Sequence, residues 1–89
     1  MTVMLRTSKE DPNVRTGKQL IEQFFGAKGA SSFQWVQDFN TRNWSLRFDW
    51  NGSRYESHIT HVALVDLGRD PAKNSKLDGI WEGKSVFNS

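Results

Sequence analysis

The chain contains no cysteine and only two prolines among its 89 residues. The first absence excludes disulfide staples and thiolate zinc sites, and it fits a reducing compartment. No apolar run approaches the roughly 18 residues that span a bilayer. The opening Met1-Thr2-Val3-Met4-Leu5-Arg6 also lacks the apolar stretch of a secretion signal, so a soluble, cytoplasmic protein is expected. Charge of one sign is scarce too. Twelve Lys and Arg stand against ten Asp and Glu, a net charge of +2. A nucleic-acid footprint usually gathers its basic residues on one face, and here they are scattered.

What the chain does have is rings: four Trp, six Phe and one Tyr, within a hydrophobic share of only 36%. A chain of this size has room for one core and buries roughly 60 to 65% of its unfolded surface. A few large side chains must therefore supply most of the apolar contact.

Their arrangement is clearest between residues 33 and 61. Trp44, Leu46, Phe48 and Trp50 alternate with Ser45, Arg47 and Asp49, and Asn51-Gly52 follows as a type I′ turn. Closing that hairpin sets Trp50 opposite Ser53, Asp49 opposite Arg54, Phe48 opposite Tyr55, Arg47 opposite Glu56 and Trp44 opposite Ile59. Both outward charge pairs are then of opposite sign, worth roughly 0.2 to 1 kcal/mol each. A slip by one residue would lose both pairs and turn the apolar set to water. Before this hairpin, Phe33 to Phe39 also alternates. An Asn40-Thr41-Arg42-Asn43 loop that places Phe39 opposite Trp44 brings Trp35 opposite Phe48 and Phe33 opposite Trp50.

A helix is expected from Thr16, where Thr16-Gly17-Lys18-Gln19 matches a capping box, to about Ala27, with Leu20, Ile21, Phe24 and Phe25 on one face. Val3 and Leu5 suggest a short strand over residues 2–7. After Ile59, the stretch His61 to Leu67 is too continuously apolar to separate strand from buried helix by period, and continuation of the strand is favoured. Residues 68–79, with Asp70-Pro71, Asn74-Ser75 and Asp78-Gly79, read as a mobile loop. Ile80-Trp81 and Val86-Phe87 read as a return to the sheet edge.

The fold class predicted is thus α+β, a single domain over residues 1–89. One amphipathic helix packs on a twisted antiparallel β-meander of three to five strands, in the order (β)-α-β-β-β-(β). The expected core is Leu20, Ile21, Phe24, Phe25, Phe33, Trp35, Phe39, Trp44, Leu46, Phe48, Trp50, Tyr55 and Ile59.

No catalytic, metal or cofactor pattern emerges. His58 and His61, three apart in a strand, would diverge rather than converge on a metal. Ser45 opposite His58 would lie on an outer sheet face without a pocket. Asp66, Asp70, Asp78 and Glu82 do not follow a calcium-loop spacing. Gly17-Lys18 lacks the rest of a phosphate loop. The expectation is a non-enzyme with no cofactor and no metal.

A helix followed by three antiparallel strands resembles the opening order of double-stranded-RNA-binding domains, a resemblance that would imply a second helix with a lysine cluster. The order also resembles cystatin-type folds, although Gln34-Trp35-Val36-Gln37 does not reproduce that family's Gln-x-Val-x-Gly hairpin. The leading expectation is a small binding protein, of the size many phages and mobile elements encode, that regulates or inhibits a larger protein partner. Its anchors would come from the C-terminal segment: Trp81, Ile80, Phe87, Arg69 and Lys73. The alternative is nucleic-acid binding through Arg42, Arg47, Arg54, Lys73 and Lys76. An open sheet edge is in addition a candidate for pairing with a second chain.

Overall fold

In the computed structural model, residues 11–72 and 75–88 are described. They form a helix α1 (Pro12–Ala27), a meander β1 (Ser31–Gln37), β2 (Trp44–Trp50) and β3 (Ser53–Ile59), two helices α2 (His61–Arg69) and α3 (Ser75–Glu82), and a short strand β4 (Ser85–Val86). The four strands make one antiparallel sheet in the order β1-β2-β3-β4. The small α+β fold with an amphipathic helix on an antiparallel sheet is therefore present. The strand expected over residues 2–7 lies outside the described residues.

α1 begins earlier than the Thr16 box suggests. Asp11 is the N-cap, its Oδ1 accepting from the Asn13 N–H at 2.8 Å, and Pro12 occupies the first turn, where its missing N–H costs nothing. The buried face is Val14, Gly17, Ile21 and Phe25.

The β2–β3 register is the one the turn and the charge pairs predict, from Trp44 opposite Ile59 to Trp50 opposite Ser53. Both ion pairs form, Arg47 Nε to Glu56 Oε2 at 3.1 Å and Arg54 Nη1 to Asp49 Oδ1 at 2.9 Å. The first hairpin differs. Gln37, not Phe39, lies opposite Trp44, and Trp35 lies opposite Leu46. That shift of two residues preserves which face each side chain takes, so Trp35 still points to the helices while Phe39 leaves the strand. A bulge between Ser31 and Gln34 absorbs one further residue, with Ser32 at φ 56.

Within the β1–β2 ladder the Asp38 N–H donates to the Asn43 carbonyl at 2.9 Å. Hydrogen-bonded pairs alternate along an antiparallel ladder. Gln34 and Val36 therefore also turn their backbone groups toward β2, and those of Trp35 and Gln37 point away from the sheet.

Residues His61–Arg69 are helical, correcting the strand continuation. Thr60 is the N-cap, its Oγ1 accepting from the Ala63 N–H at 3.1 Å, and Leu64 and Leu67 face inward. The polar cap decides what an apolar run leaves open. A third helix occupies Ser75–Glu82, so of the loop expected over residues 68–79 the structure makes residues 68–69 and 75–79 helical, while residues 73–74 lie outside the described residues. In α3, Leu77, Ile80 and Trp81 stand at helical spacing and turn toward the core, which corrects the strand expected at Ile80-Trp81. Val86 does join the sheet, opposite Tyr55.

α1 and α2 lie against each other across glycines: a Cβ at Gly68 would fall 1.8 Å from the Asn13 carbonyl oxygen, and one at Gly17 would fall 2.3 Å from that of Leu64. Below them, Phe48 is the hub of the ring cluster. Phe25 meets it edge-on at 5.1 Å, while Tyr55 and Trp81 stack on it at 6.0 Å. The meander's rings thus face the helices. Val14, Leu64, Leu67 and Leu77 join the expected core, whereas Phe39 is fully exposed and does not belong to it.

Candidate functional site

The C-terminal residues expected to anchor a partner are distributed between core and surface. Trp81 packs edge-on against Phe25 at 4.9 Å and Trp50 at 5.0 Å, with Lys84 Nζ 3.8 Å above its ring. Ile80 is half-buried, and its carbonyl accepts from Ser57 Oγ at 3.4 Å. Phe87 lies on the opposite sheet face under the Arg47 guanidinium, 4.2 Å from the ring centre. Arg69 is exposed at the end of α2, 4.0 Å from Asp66. Lys73 lies outside the described residues. The structure does not bring the four described side chains, Trp81, Ile80, Phe87 and Arg69, together on one surface.

The arginines of the sheet are engaged. Arg47 holds Glu56, while Arg54 binds Asp49, the Ser32 carbonyl and Gln34 Oε1. Lys76 sits 3.5 Å from Asp66. Of the described members of the expected nucleic-acid set, Arg42 alone stands on a loop tip, at φ 68.

That tip is the most distinctive surface of the molecule. Asp38 organises it: Oδ1 accepts the N–H groups of Asn40 at 2.7 Å and Thr41 at 3.0 Å, and the Asp38 carbonyl accepts from the Arg42 N–H at 2.8 Å. Thr41 Oγ1 accepts the Asn43 N–H, and Gln37 Nε2 donates to the Arg42 carbonyl. This is an Asx turn locked into a hairpin. Phe39, the residue after Asp38, is 100% exposed.

The tip is also tied to α2. Asn43 Oδ1 accepts the His61 N–H at 3.1 Å, and Trp44 Nε1 donates to His61 Nδ1 at 3.3 Å. Val62, another exposed apolar side chain, follows at once. Between loop and β3 lies an open cavity of about 330 Å³ lined by Asp38, Thr41, Asn43, Ser45, His58 and Thr60 among others.

Two backbone N–H groups hold the Asp38 carboxylate in its charged form, Thr41 first and Asn40 second, so its pKa lies below the ordinary 3.8. A depressed carboxylate stabilises the loop above its unfolded pKa, and that contribution is lost as pH falls below about 3.8 through the lower folded value. The Asn40 and Thr41 amides should therefore exchange faster, relative to those of β2, as the solution is acidified across that range. Equal behaviour of loop and strand would show that Asp38 does not hold the tip.

On the outer sheet face Ser45 Oγ lies 3.2 Å from His58 Nδ1, and His58 Nε2 lies 3.3 Å from Glu56 Oε1. The connectivity is that of nucleophile, base and acid, and Ser45 borders the cavity. Ladder parity commits the Ser45 N–H to β1, so that group is not free to serve an oxyanion. We read it as a polar cross-strand cluster.

Among the described residues no group of three His, Cys, Asp or Glu side chains converges to hold a metal ion. Nor, among them, is any helix long and apolar enough to cross a membrane. Comparison with known proteins returned no matching family model, curated protein or solved structure.

Sequence reasoning placed the Asn40–Asn43 loop but left Phe39 in the strand, because Phe39 continues the alternation of Phe33 and Trp35. The signal that separates it is Asp38, an Asx-turn former two residues ahead of Asn40 and three ahead of Thr41.

Proposed function

We infer that the protein is a small non-enzymatic binding protein that regulates or inhibits a larger protein partner, with the β1–β2 tip as its anchor. The observation that carries this reading is Phe39, a fully exposed ring on a loop held by backbone and side-chain hydrogen bonds. An aromatic side chain on a preordered loop loses little conformational freedom on docking, which is the property of interface hot spots. Val62, at the start of α2, is a second exposed apolar side chain, and Arg42 adds a charge on the same loop as Phe39. A cysteine-free chain suits a cytoplasmic setting.

The test uses the partner recovered as a stoichiometric complex from host lysate. Phe39→Ala should weaken that complex by roughly 30-fold, the equivalent of a hot-spot truncation of about 2 kcal/mol. It should leave thermal stability within about 0.5 kcal/mol, because the ring touches no core residue. Unchanged affinity would remove the tip from the interface. Trp81→Ala is a poor probe here, because its loss of packing against Phe25 and Trp50 would weaken the fold itself.

A second reading, nucleic-acid binding, draws on one observation. α2 follows β3, so the helix, three strands and helix of double-stranded-RNA-binding domains are matched in order. Against it, α2 has a single Lys or Arg, Arg69, in place of the lysine cluster that resemblance implies. Steep loss of oligonucleotide affinity with added salt would favour this reading over a protein partner.

A further inference from the structure

Among the described residues, β1 is an outer strand of the sheet with no strand paired along its free side. β4 closes its side with only two residues, Ser85 and Val86, too short to template a further strand. β1 runs for seven residues, Ser31–Gln37, without a charge or a proline. Lysine, proline and inward-pointing charge are the usual protections of a sheet edge, and β1 has none of them. Its bulge lies at the start, between Ser31 and Gln34, where Arg54 Nη1 also occupies the Ser32 carbonyl. The regular part of the strand, toward Gln37, turns the N–H and C=O groups of Trp35 and Gln37 outward.

We propose that this edge pairs antiparallel with the β1 strand of a second copy of the chain, joining two four-stranded sheets into one of eight strands in a two-fold symmetric dimer. The neutrality of β1 suits a copy of itself. A strand without charge places no like charges opposite each other in any antiparallel self-register. β3, with Arg54, Glu56 and His58, has no such neutrality. Two-fold symmetry makes each outward residue meet another outward residue, so N–H···O=C bonds are exchanged in pairs. On the helix side of the edge lies a shallow groove of about 490 Å³ lined by Gln19, Glu22, Gln23 and Phe33. Glu22 there accepts from Trp35 Nε1 at 2.7 Å, which fixes the indole beside the edge. A strand added to β1 would lay alternate side chains over this groove and cover the exposed parts of Phe33 and Trp35. Because the paired strands run in opposite directions, the two Phe39 tips would stand at opposite ends of the joined sheet.

The test is light scattering after size exclusion together with amide exchange, both over a dilution series of the full chain. The expected result is twice the monomer mass at high concentration, with the Trp35 and Gln37 amides protected at least about tenfold and that protection lost on dilution. Gln37→Pro removes an outward N–H together with the exposed Nε2 bond to the Arg42 carbonyl, and Val36 before it is already extended, so the variant should stay folded and become monomeric, whereas Gln37→Ala, which loses the side-chain bond alone, should remain dimeric. A monomeric mass throughout the series would overturn the proposal. So would a dimer that Gln37→Pro leaves intact, or Trp35 protection independent of concentration, which would mean the edge is covered from within its own chain. Should Gln37→Pro fail to fold, the concentration dependence of the wild-type amides decides alone. Protection gained only with a different protein bound would make β1 part of a mixed complex and would equally refute the dimer.

Discussion

Phe48→Ala should lower the stability of the domain by about 3 to 5 kcal/mol, the range for truncating a fully buried aromatic side chain. The ring has 0% exposure and touches the rings of Phe25, Phe33, Tyr55 and Trp81, so its removal leaves a cavity bordered by helices and sheet alike. Collapse around it is restricted, because β2 is held on both sides by neighbouring strands. For a domain of this size each kcal/mol shifts the midpoint by roughly 4 to 8 °C. The loss should therefore be plain in a thermal melt followed by circular dichroism. A midpoint unchanged by the substitution would mean that Phe48 does not occupy the centre of the core.

Gly68→Ala should also destabilise, by up to about 2 kcal/mol once the overpacking cost is set against the propensity gain, although helix propensity alone argues the other way. In an exposed helix interior the change is worth roughly 1 kcal/mol in favour of alanine. At Gly68 the added carbon would meet the Asn13 carbonyl oxygen at 1.8 Å and its carbon at 2.6 Å, and both are backbone. A main chain cannot swing aside as a side-chain tip can, so α2 must move off α1, and overpacking costs of about 1 to 3 kcal/mol outweigh the propensity gain. Gly79 in α3 is the internal control, with no atom near enough to meet a Cβ. Gly79→Ala should be neutral or stabilising, by up to about 1 kcal/mol. The contrast between the two variants in urea unfolding tests the helix crossing directly, since equal effects would mean that α1 and α2 do not approach at Gly68.

The β2–β3 hairpin was legible in full because several local signals agree: an Asn-Gly turn, a strict alternation and two opposed charge pairs. In the β1–β2 hairpin only the faces were legible. Alternation has a period of two and is blind to a shift of two, so Phe39 was placed in the core when the structure has it at a loop tip. α2 was obscured for a related reason. Its run from His61 to Leu67 is apolar on more than one side, and without weight given to Thr60 as a cap its period decides nothing. The candidate site went unread because its residues look ordinary singly. Asp38, Asn43 and His61 acquire meaning only when the loop folds back on the start of a helix 18 residues after Asn43.

What the chain determines by itself is therefore local. It sets the turn, the inward face of each central strand, the amphipathic stripe of the first helix and the neutrality of β1, because each follows from neighbouring side chains and the periods of helix and strand. Tertiary structure alone decided that Trp81 belongs to the core, that Gly17 and Gly68 are contact points between helices, and that Phe39 is free. Those outcomes depend on which distant segments meet, and burial is a property of the meeting rather than of the residue.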